Sequence, residues 1–280
     1  MDLRNYDTVA RMSPTATVLV RAWRIGMLSG MMMLAGVGST AAQSGPASLD
    51  QLLERGDALY AQYQNDEAHT LFVSAYEVAA ESFDVLARLA RTTVDFGMDL
   101  EADGEMDRAA SLYEEAMGYA DALERLYPDS AETYFHLIRT RGKLALFRGG
   151  KEKVETGRHI ERYCQRGLEL DENDPDIQVS YGIFQREVAD LSWIERTFAR
   201  ALFGAVPSGT KEEAVRALLR AIELRPDFAF AYYELGVTYM GMGDQKRAGE
   251  AFRASLDLPA STTQDIRNRV IARRMLERLP

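Results

Sequence analysis

The sequence contains one cysteine and three histidines among 280 residues. Cys164 has no second cysteine with which to form an intramolecular disulfide, so an oxidising compartment is permitted but adds no cross-link. We interpret Cys164 as a small buried residue on the packing face of a helix. His69, His136 and His159 lie far apart, and none has a His or Cys four residues away. The sequence therefore lacks the spacing of a zinc site, and we expect no bound metal.

Signatures of catalysis are lacking as well. The chain has no G-x-S-x-G nucleophile elbow. The run Gly149-Gly150-Lys151 lacks the first glycine and the Ser or Thr of a phosphate-binding loop. The acidic run that begins at Asp99 is a poor calcium loop, because its twelfth position is Ala110 where a Glu is needed. We therefore expect a protein that is not an enzyme and has no cofactor.

Helix breakers and strand patterns are also scarce. There are only 8 prolines, and several of them fall between segments with helical periodicity: Pro128, Pro175, Pro207, Pro226 and Pro259. No run alternates apolar and polar residues over the length of a sheet strand. With 46% of its residues hydrophobic, the chain can bury a continuous core. These features predict an all-α fold.

What the sequence does contain is a helical repeat, which is clearest between Tyr232 and Pro259. Aromatic, Leu-Gly, aromatic, Ala, Phe and Pro residues occur here with the spacing of one tetratricopeptide unit, a pair of antiparallel helices. The residues concerned are Tyr232, Leu235, Gly236, Tyr239, Ala248, Phe252 and Pro259. We expect Gly236 to lie where two helices touch, because a larger side chain would hold them apart.

Weaker copies of the same pattern precede this unit, beginning near Leu52. We count about five units, followed by a last helix from Thr263 to Leu279 that caps the stack. One unit cannot bury its own apolar face, so neighbouring units must stack on it. The sequence therefore predicts a tetratricopeptide-like helix-turn-helix solenoid with a C-terminal capping helix, which occupies residues 43–280.

The N-terminus has the pattern of a secretory signal peptide. Arg21 and Arg24 precede an apolar run over residues 25–37, and small residues follow as far as Ala42. We interpret residues 1–42 as a signal peptide that is cleaved after Ala42, so that the protein is exported and, for a bacterial source, periplasmic. The alternative is an uncleaved membrane anchor, although about 13 apolar residues are few for a membrane span.

The charge balance is acidic. The formal net charge is −10 at pH 7, and it becomes −12 once residues 1–42 are removed. A general nucleic-acid-binding protein needs a basic face to neutralise phosphates, so we expect no nucleic-acid partner. The same charge argues against adsorption to an anionic membrane surface.

An insertion over residues 189–208 separates the two helices of the fourth unit. Trp193, Phe198, Leu202 and Phe203 fall on one helical stripe within it. A single apolar stripe predicts that these four side chains pack in the core. The fourth unit nevertheless departs from a plain repeat.

Several short motifs in and around this insertion match one known family. They are Leu191-Ser-Trp-Ile-Glu-Arg196, Ala201-Leu-Phe-Gly204, Pro207, Glu212-Glu-Ala214, Gly142-Lys-Leu144, Leu235-Gly-Val-Thr-Tyr239 and Leu258-Pro-Ala260. Over about residues 120–280 the chain resembles the regulator of microtubule dynamics family. The resemblance implies an all-helical tetratricopeptide-like domain without enzymatic activity. Eukaryotic members are associated with microtubules, mitochondria and membrane contacts, and a relative is linked to lipid binding.

We do not extend microtubule binding to this chain. A surface that binds microtubules is usually basic, because it faces the acidic tails of tubulin. This chain is acidic and carries the pattern of an export signal, so we expect no microtubule binding.

The first helix of each pair lines the concave face of such a stack, which predicts a ligand groove. Its predicted residues are Phe135, Arg139, Val179, Ile183, Arg186, Phe230, Tyr233, Val237 and Met240. This groove is apolar and aromatic, with two isolated arginines that suit a ligand with a carboxylate or phosphate and an apolar body. Alternatively, both arginines pair with helix carboxylates such as Glu132 or Glu187.

The leading functional prediction is a non-catalytic exported scaffold that binds a protein or peptide in its concave groove. The first alternative is a carrier or sensor of an amphipathic anion such as a lipid or fatty acid, which an enclosed apolar cavity would indicate. The second is a membrane-anchored adaptor. An enzyme would need clustered titratable groups in a pocket, and the spacing shows none.

Overall fold

The structure, a computed structural model, describes residues 47–204 and 208–279. In this part of the chain twelve α-helices follow one another and no strand occurs. In chain order the helices are α1 (Leu49–Tyr60), α2 (Asn65–Val78), α3 (Phe83–Ala102), α4 (Met106–Leu126), α5 (Ala131–Arg148), α6 (Gly150–Leu170), α7 (Pro175–Ala189), α8 (Trp193–Phe203), α9 (Lys211–Leu224), α10 (Ala229–Met242), α11 (Gln245–Asp257) and α12 (Thr263–Leu276). The predicted all-α fold is confirmed, whereas the predicted signal peptide, residues 1–42, lies outside the described residues.

Five helix pairs form the repeat. Helix α1 packs against α2, α3 against α4, α5 against α6, α7 against α9, and α10 against α11. The second helix of each pair also contacts the first helix of the next, so the core continues from unit to unit. Helix α12 packs on α10 and α11 as a cap, and α8 is the inserted helix, with α6 as its principal neighbour. This arrangement confirms the predicted tetratricopeptide-like solenoid with a C-terminal capping helix.

Close helix crossings occur at the small residues of the repeat pattern. A β-carbon added to Gly236 would lie 2.6 Å from the Phe252 ring, and one added to Gly97 would lie 2.6 Å from the Tyr113 ring. Such distances are far inside van der Waals contact, so only glycine permits these crossings without movement of the ring. The prediction that Gly236 lies at a helix contact is confirmed.

Polar caps determine where several helices begin. Ser48 starts α1 with a reciprocal capping box to Gln51, and Thr262 starts α12 in the same way. At α7 the Asp174 carboxylate accepts from two backbone N–H groups, and Pro175 occupies the first turn, where its missing N–H is not needed. These caps satisfy N–H groups that have no partner inside the helix.

The two ends of the solenoid meet, which the repeat pattern alone does not predict. The Tyr63 hydroxyl donates to the Ala260 carbonyl at 2.7 Å, although the two residues are 197 positions apart. The Asn65 amide donates to the Thr263 hydroxyl at 2.7 Å. Hydrogen bonds therefore connect the start of α2 to the start of α12. We call this contact between the two ends of the solenoid the seam.

Candidate functional site

A cavity of about 340 Å³, partly open to solvent, lies on the inner side of the solenoid. Its walls come from α3, α5, α6, α7, α8 and α10, together with the loop that leads into α12 and the first turn of α12. Apolar side chains dominate the lining, among them Met98, Phe135, Ile138, Ile183, Phe184 and Phe230. Cavities of this volume and character are typical of sites that bind an apolar group.

Five of the nine predicted groove residues line this cavity. They are Phe135, Arg139, Val179, Ile183 and Phe230. They come from the first helices α5, α7 and α10, because successive first helices face the same side of the stack. Their role in binding a ligand stays a prediction.

The other four predicted residues lie elsewhere. Tyr233, Val237 and Met240 pack in the core between the last units, where the Tyr233 ring lies 6.0 Å from the Phe252 ring. Arg186 is buried and donates to the Glu234 carboxylate at 2.6 Å. This ion pair joins α7 to α10 and directs the guanidinium into the helix interface.

Arg139 is also paired, although it lines the cavity. Its guanidinium donates at 2.6 Å to Asp95, which is fully buried. The Tyr60 hydroxyl donates to the other oxygen of the same carboxylate at 2.7 Å, and the Arg91 guanidinium lies over the Tyr60 ring. Asp95 therefore connects α1, α3 and α5. The expectation of two isolated cations differs from the structure, because each arginine has a buried carboxylate within hydrogen-bonding distance.

Two lysines line the cavity as well, and both have carboxylate partners. Lys143 lies 2.8 Å from Glu101, and Lys153 lies 2.7 Å from Glu187. Burial alone would raise the pKa of both carboxyl groups, but the neighbouring cations hold each pKa below its ordinary value. The cations that line the cavity are thus neutralised, and its charged groups form pairs around an apolar centre.

The remaining wall comes from the loop before α12 and from the first turn of α12. Ser261 and Thr262 of the loop line the cavity, as do Gln264 and Asp265 of the helix. The Asp265 carboxylate accepts from the backbone N–H groups and the hydroxyls of Ser261 and Thr262 at 2.8–3.0 Å. These four hydrogen bonds stabilise the negative charge of Asp265 and hold the loop in one conformation.

Charged residues reinforce the seam beside this loop. Arg267 of α12 donates to the Asp99 carboxylate at 3.0 Å and to the Met98 carbonyl at 2.6 Å. Asp99 also accepts from the Asn65 amide at 2.8 Å. Burial raises the pKa of Asp99 to about 6, although Asn65 and Arg267 oppose the shift. The seam thus contains a carboxyl group that titrates close to neutral pH.

Comparison with known proteins identifies the family of the chain. The family model described as regulator of microtubule dynamics protein 1-3 matches residues 52–280. The chain belongs to this family. The match begins in the first helix pair, so it extends the predicted likeness, which started near residue 120, to the first two units.

Curated members of the family are moderately similar. Regulator of microtubule dynamics protein 1 of Bos taurus is 29% identical over 219 residues, which cover 78% of this chain and 68% of that protein. Regulator of microtubule dynamics protein 3 of Rattus norvegicus is 26% identical over 225 residues, which cover 79% of this chain and 47% of that protein. The chain therefore spans about half the length of the protein 3 relative.

Solved structures show the fold again. A thermophilic tetratricopeptide-repeat protein of Thermus thermophilus superposes with a TM-score of 0.57 and 19% identity, over 82% of this chain and 100% of that chain. Within the described part of the chain, no helix has both the length and the apolar composition of a membrane span.

Two histidines of this family member each have a carboxylate nearby. The His69 ring lies 3.5 Å from Glu115, and His136 lies 3.6 Å from Glu132. Burial lowers the pKa of His136, which favours the neutral ring. Across residues 47–204 and 208–279, no group of three His, Cys, Asp or Glu side chains is placed to hold a metal ion.

Sequence reasoning missed part of the lining. Met98, Lys143 and Lys153 were not predicted, and neither was the loop at residues 261–265. Lys153 is on a second helix, where the rule for first helices does not apply. The loop reaches the cavity only through closure of the seam. Gly142 lies on the same face of α5 as Phe135 and Arg139. Its lack of a side chain could have indicated open space at this site.

Proposed function

We propose that this protein is an exported, non-catalytic scaffold that holds an apolar segment of a protein or peptide partner in its central cavity. The observation that carries the proposal is the combination of an apolar cavity of about 340 Å³ with cations that already have carboxylate partners. Apolar side chains of a partner can enter such a site without breaking an ion pair. Stacked helix pairs commonly present concave binding surfaces, which supports the same function.

A second candidate is a carrier of an amphipathic small molecule such as a lipid or fatty acid. The volume and apolar walls favour it, since ligand pockets are commonly 300–1,000 Å³. The charge distribution favours it less. An anionic head group would have to compete with Asp95 for Arg139, or with Glu101 and Glu187 for the two lysines.

The test uses a variant that fills the cavity. Gly142 lines the cavity, and a β-carbon added there would meet its nearest atom, on Ile160, at 3.9 Å. Gly142→Phe therefore has room for its β-carbon and directs a ring into the site. Gly118→Phe is the matched control, because Gly118 is exposed on α4 and an added β-carbon meets nothing within 4 Å.

Each protein is purified from its own host and examined by native mass spectrometry. We expect a polypeptide to accompany the wild-type protein and the Gly118→Phe control, and to be reduced at least about tenfold in Gly142→Phe. Equal amounts in all three proteins would contradict the proposed cavity. A co-purifying amphiphile of a few hundred daltons, displaced by Gly142→Phe, would establish the second candidate instead.

Export and the absence of microtubule binding belong to the same proposal. The small residues that end at Ala42 support a mature protein that begins near Gln43. N-terminal sequencing of the exported fraction tests this, and intact residues 1–42 in a membrane pellet would indicate the anchored adaptor. The net charge of −10 argues against binding to the tubulin tails, because both the chain and the tails are acidic. Co-sedimentation with microtubules at physiological salt would overturn that expectation.

A further inference from the structure

The inserted helix α8 carries an exposed apolar face, contrary to the core role predicted for it. Trp193 is 76% exposed, Phe198 is 49% exposed and Ile194 is 48% exposed. The side chains of Leu202 and Phe203 lie outside the described residues. The prediction of a core stripe is therefore wrong for Trp193 and Phe198. These two side chains face away from the protein, because α7 and α9 pair without α8.

Helix α8 is nevertheless held firmly in place. Ser192 and Glu195 form a capping box at its start. The Arg196 guanidinium donates to the carbonyls of Val188, Ala189 and Leu191 at 3.0–3.2 Å, which caps the end of α7. On the opposite side of the helix, Ala199 is fully buried. The exposed face is thus presented in a fixed orientation.

The polar chemistry of this face suits a lipid environment. The Thr197 hydroxyl donates to the Trp193 carbonyl at 2.8 Å, so it needs no water partner. The Glu195 carboxylate accepts from the Ser192 N–H and hydroxyl at 2.7 and 2.5 Å. The exposed charged residue on the helix is Arg200. In an acidic chain, this face combines three large apolar side chains with one exposed cation.

We propose that α8 is a membrane-docking helix that inserts Trp193, Ile194 and Phe198 into the interface of a phospholipid bilayer. Helices that lie in this interface have aromatic and aliphatic residues on one side and Arg or Lys near the head groups. Tryptophan is favoured at that depth because its ring is apolar and its N–H is polar. Arg200 can donate to a lipid phosphate. This inference is independent of the proposed cavity function.

The size of the face argues against a second copy of the chain as its partner. Eleven helical residues extend over only about 16 Å. A specific protein interface buries about 800 Å² on each partner, which is more than three side chains on one short helix provide. A bilayer needs no matching surface of fixed shape, so a small apolar face is sufficient for reversible binding.

The experiment measures binding of the full chain to phosphatidylcholine vesicles by flotation. The double variant Trp193→Ala, Phe198→Ala is compared with wild type and with Leu219→Ala. Leu219 is the matched control, since it is 46% exposed on α9, a helix that packs mainly against α7 and α10. We expect the double variant to partition at least about tenfold more weakly and the control to bind as wild type does. Binding should persist at high salt, because it is mainly apolar.

A local measurement separates α8 from the N-terminal segment. The chain has two tryptophans, Trp23 and Trp193, so Trp23→Phe leaves Trp193 as the fluorescent reporter. Insertion predicts a blue shift of Trp193 emission and quenching by brominated phosphatidylcholine. Unquenched emission, or equal flotation of wild type and the double variant, would overturn the proposal. So would a dimer in analytical ultracentrifugation that the double variant loses, because the face would then be an interface between copies.

Discussion

Arg267 and Asp99 form an ion pair at 3.0 Å although they are 168 positions apart in the sequence. Arg267 belongs to the capping helix α12, and Asp99 belongs to α3 of the second helix pair. With the Tyr63–Ala260 and Asn65–Thr263 hydrogen bonds, this pair closes the solenoid on itself. The closure brings Ser261, Thr262, Gln264 and Asp265 into the lining of the cavity.

Replacement of Arg267 should loosen the seam. Arg267→Ala removes the donor to both Asp99 and the Met98 carbonyl. We expect faster hydrogen exchange of the α12 amides, and a free energy of unfolding lower by about 1.5–3 kcal/mol, the range for hydrogen bonds to charged groups. Hydrogen-exchange mass spectrometry measures the first effect. Arg273→Ala, at an exposed position of the same helix, should leave exchange unchanged. Equal exchange in the two variants would contradict the seam.

Asp99 should make stability depend on pH in a definite direction. Its pKa is raised from 3.8 to about 6 in the folded protein, so the folded state binds this proton more tightly than the unfolded state does. Its contribution to stability is therefore greatest below about pH 3.8 and falls as the pH rises to about 6. Urea denaturation of wild type and Asp99→Asn at a series of pH values measures the effect.

The difference between these two proteins isolates Asp99, because the other carboxyl groups are common to both. We expect Asp99→Asn to gain stability relative to wild type between about pH 4 and pH 6, and the difference to stay constant above that range. Parallel curves over the whole range would show that Asp99 titrates normally.

Gly236 should tolerate no larger side chain. Since an added β-carbon would lie 2.6 Å from the Phe252 ring, Gly236→Leu must displace that ring or separate α10 from α11. We expect the free energy of unfolding to fall by about 1–3 kcal/mol, measured by urea denaturation. Gly118→Leu, on an exposed helical surface, should be neutral or stabilising by up to about 1 kcal/mol. An unchanged midpoint for Gly236→Leu would refute the helix register.

Replacement of only one partner of the buried Arg186–Glu234 pair should lower the free energy of unfolding. Arg186→Met leaves the Glu234 carboxylate buried without its cation, which typically lowers the free energy of unfolding by about 3–5 kcal/mol. The double variant Arg186→Met, Glu234→Leu removes the stranded charge and should recover most of that loss. Chemical denaturation of both variants checks this. A double variant no more stable than the single one would show that the pair is not the cause.

The helix pairs and their contacts were predictable because the repeat is local. The spacing of Leu235-Gly236 and Phe252 falls within one unit, and the structure places them at one helix crossing. The same holds for Leu52, Gly56, Ala68 and Phe72 of the first pair, all of which are buried. The predicted insertion appears as α8 between α7 and α9.

The site was predictable only in part, because it depends on how units are placed relative to each other. The inner stripe of first helices includes Phe135, Val179, Ile183 and Phe230, and the structure places all four in the cavity lining. The same rule placed Arg186 on the concave face, whereas the structure directs it toward Glu234 on α10. A stripe specifies the side of a helix but not the side chains that the next helix brings to it.

The sequence by itself determined the fold class, the number of helix pairs and the family, since each depends on spacings within tens of residues. The tertiary structure determined the contacts between residues that lie far apart in the chain. It brought Asp95 to Arg139, Asp99 to Arg267, and the loop before α12 to the cavity wall. Small rotations between successive units accumulate along the stack, and their sum determines whether the ends of a solenoid meet. Here they meet, so the predicted groove gains lining residues from the far end of the chain.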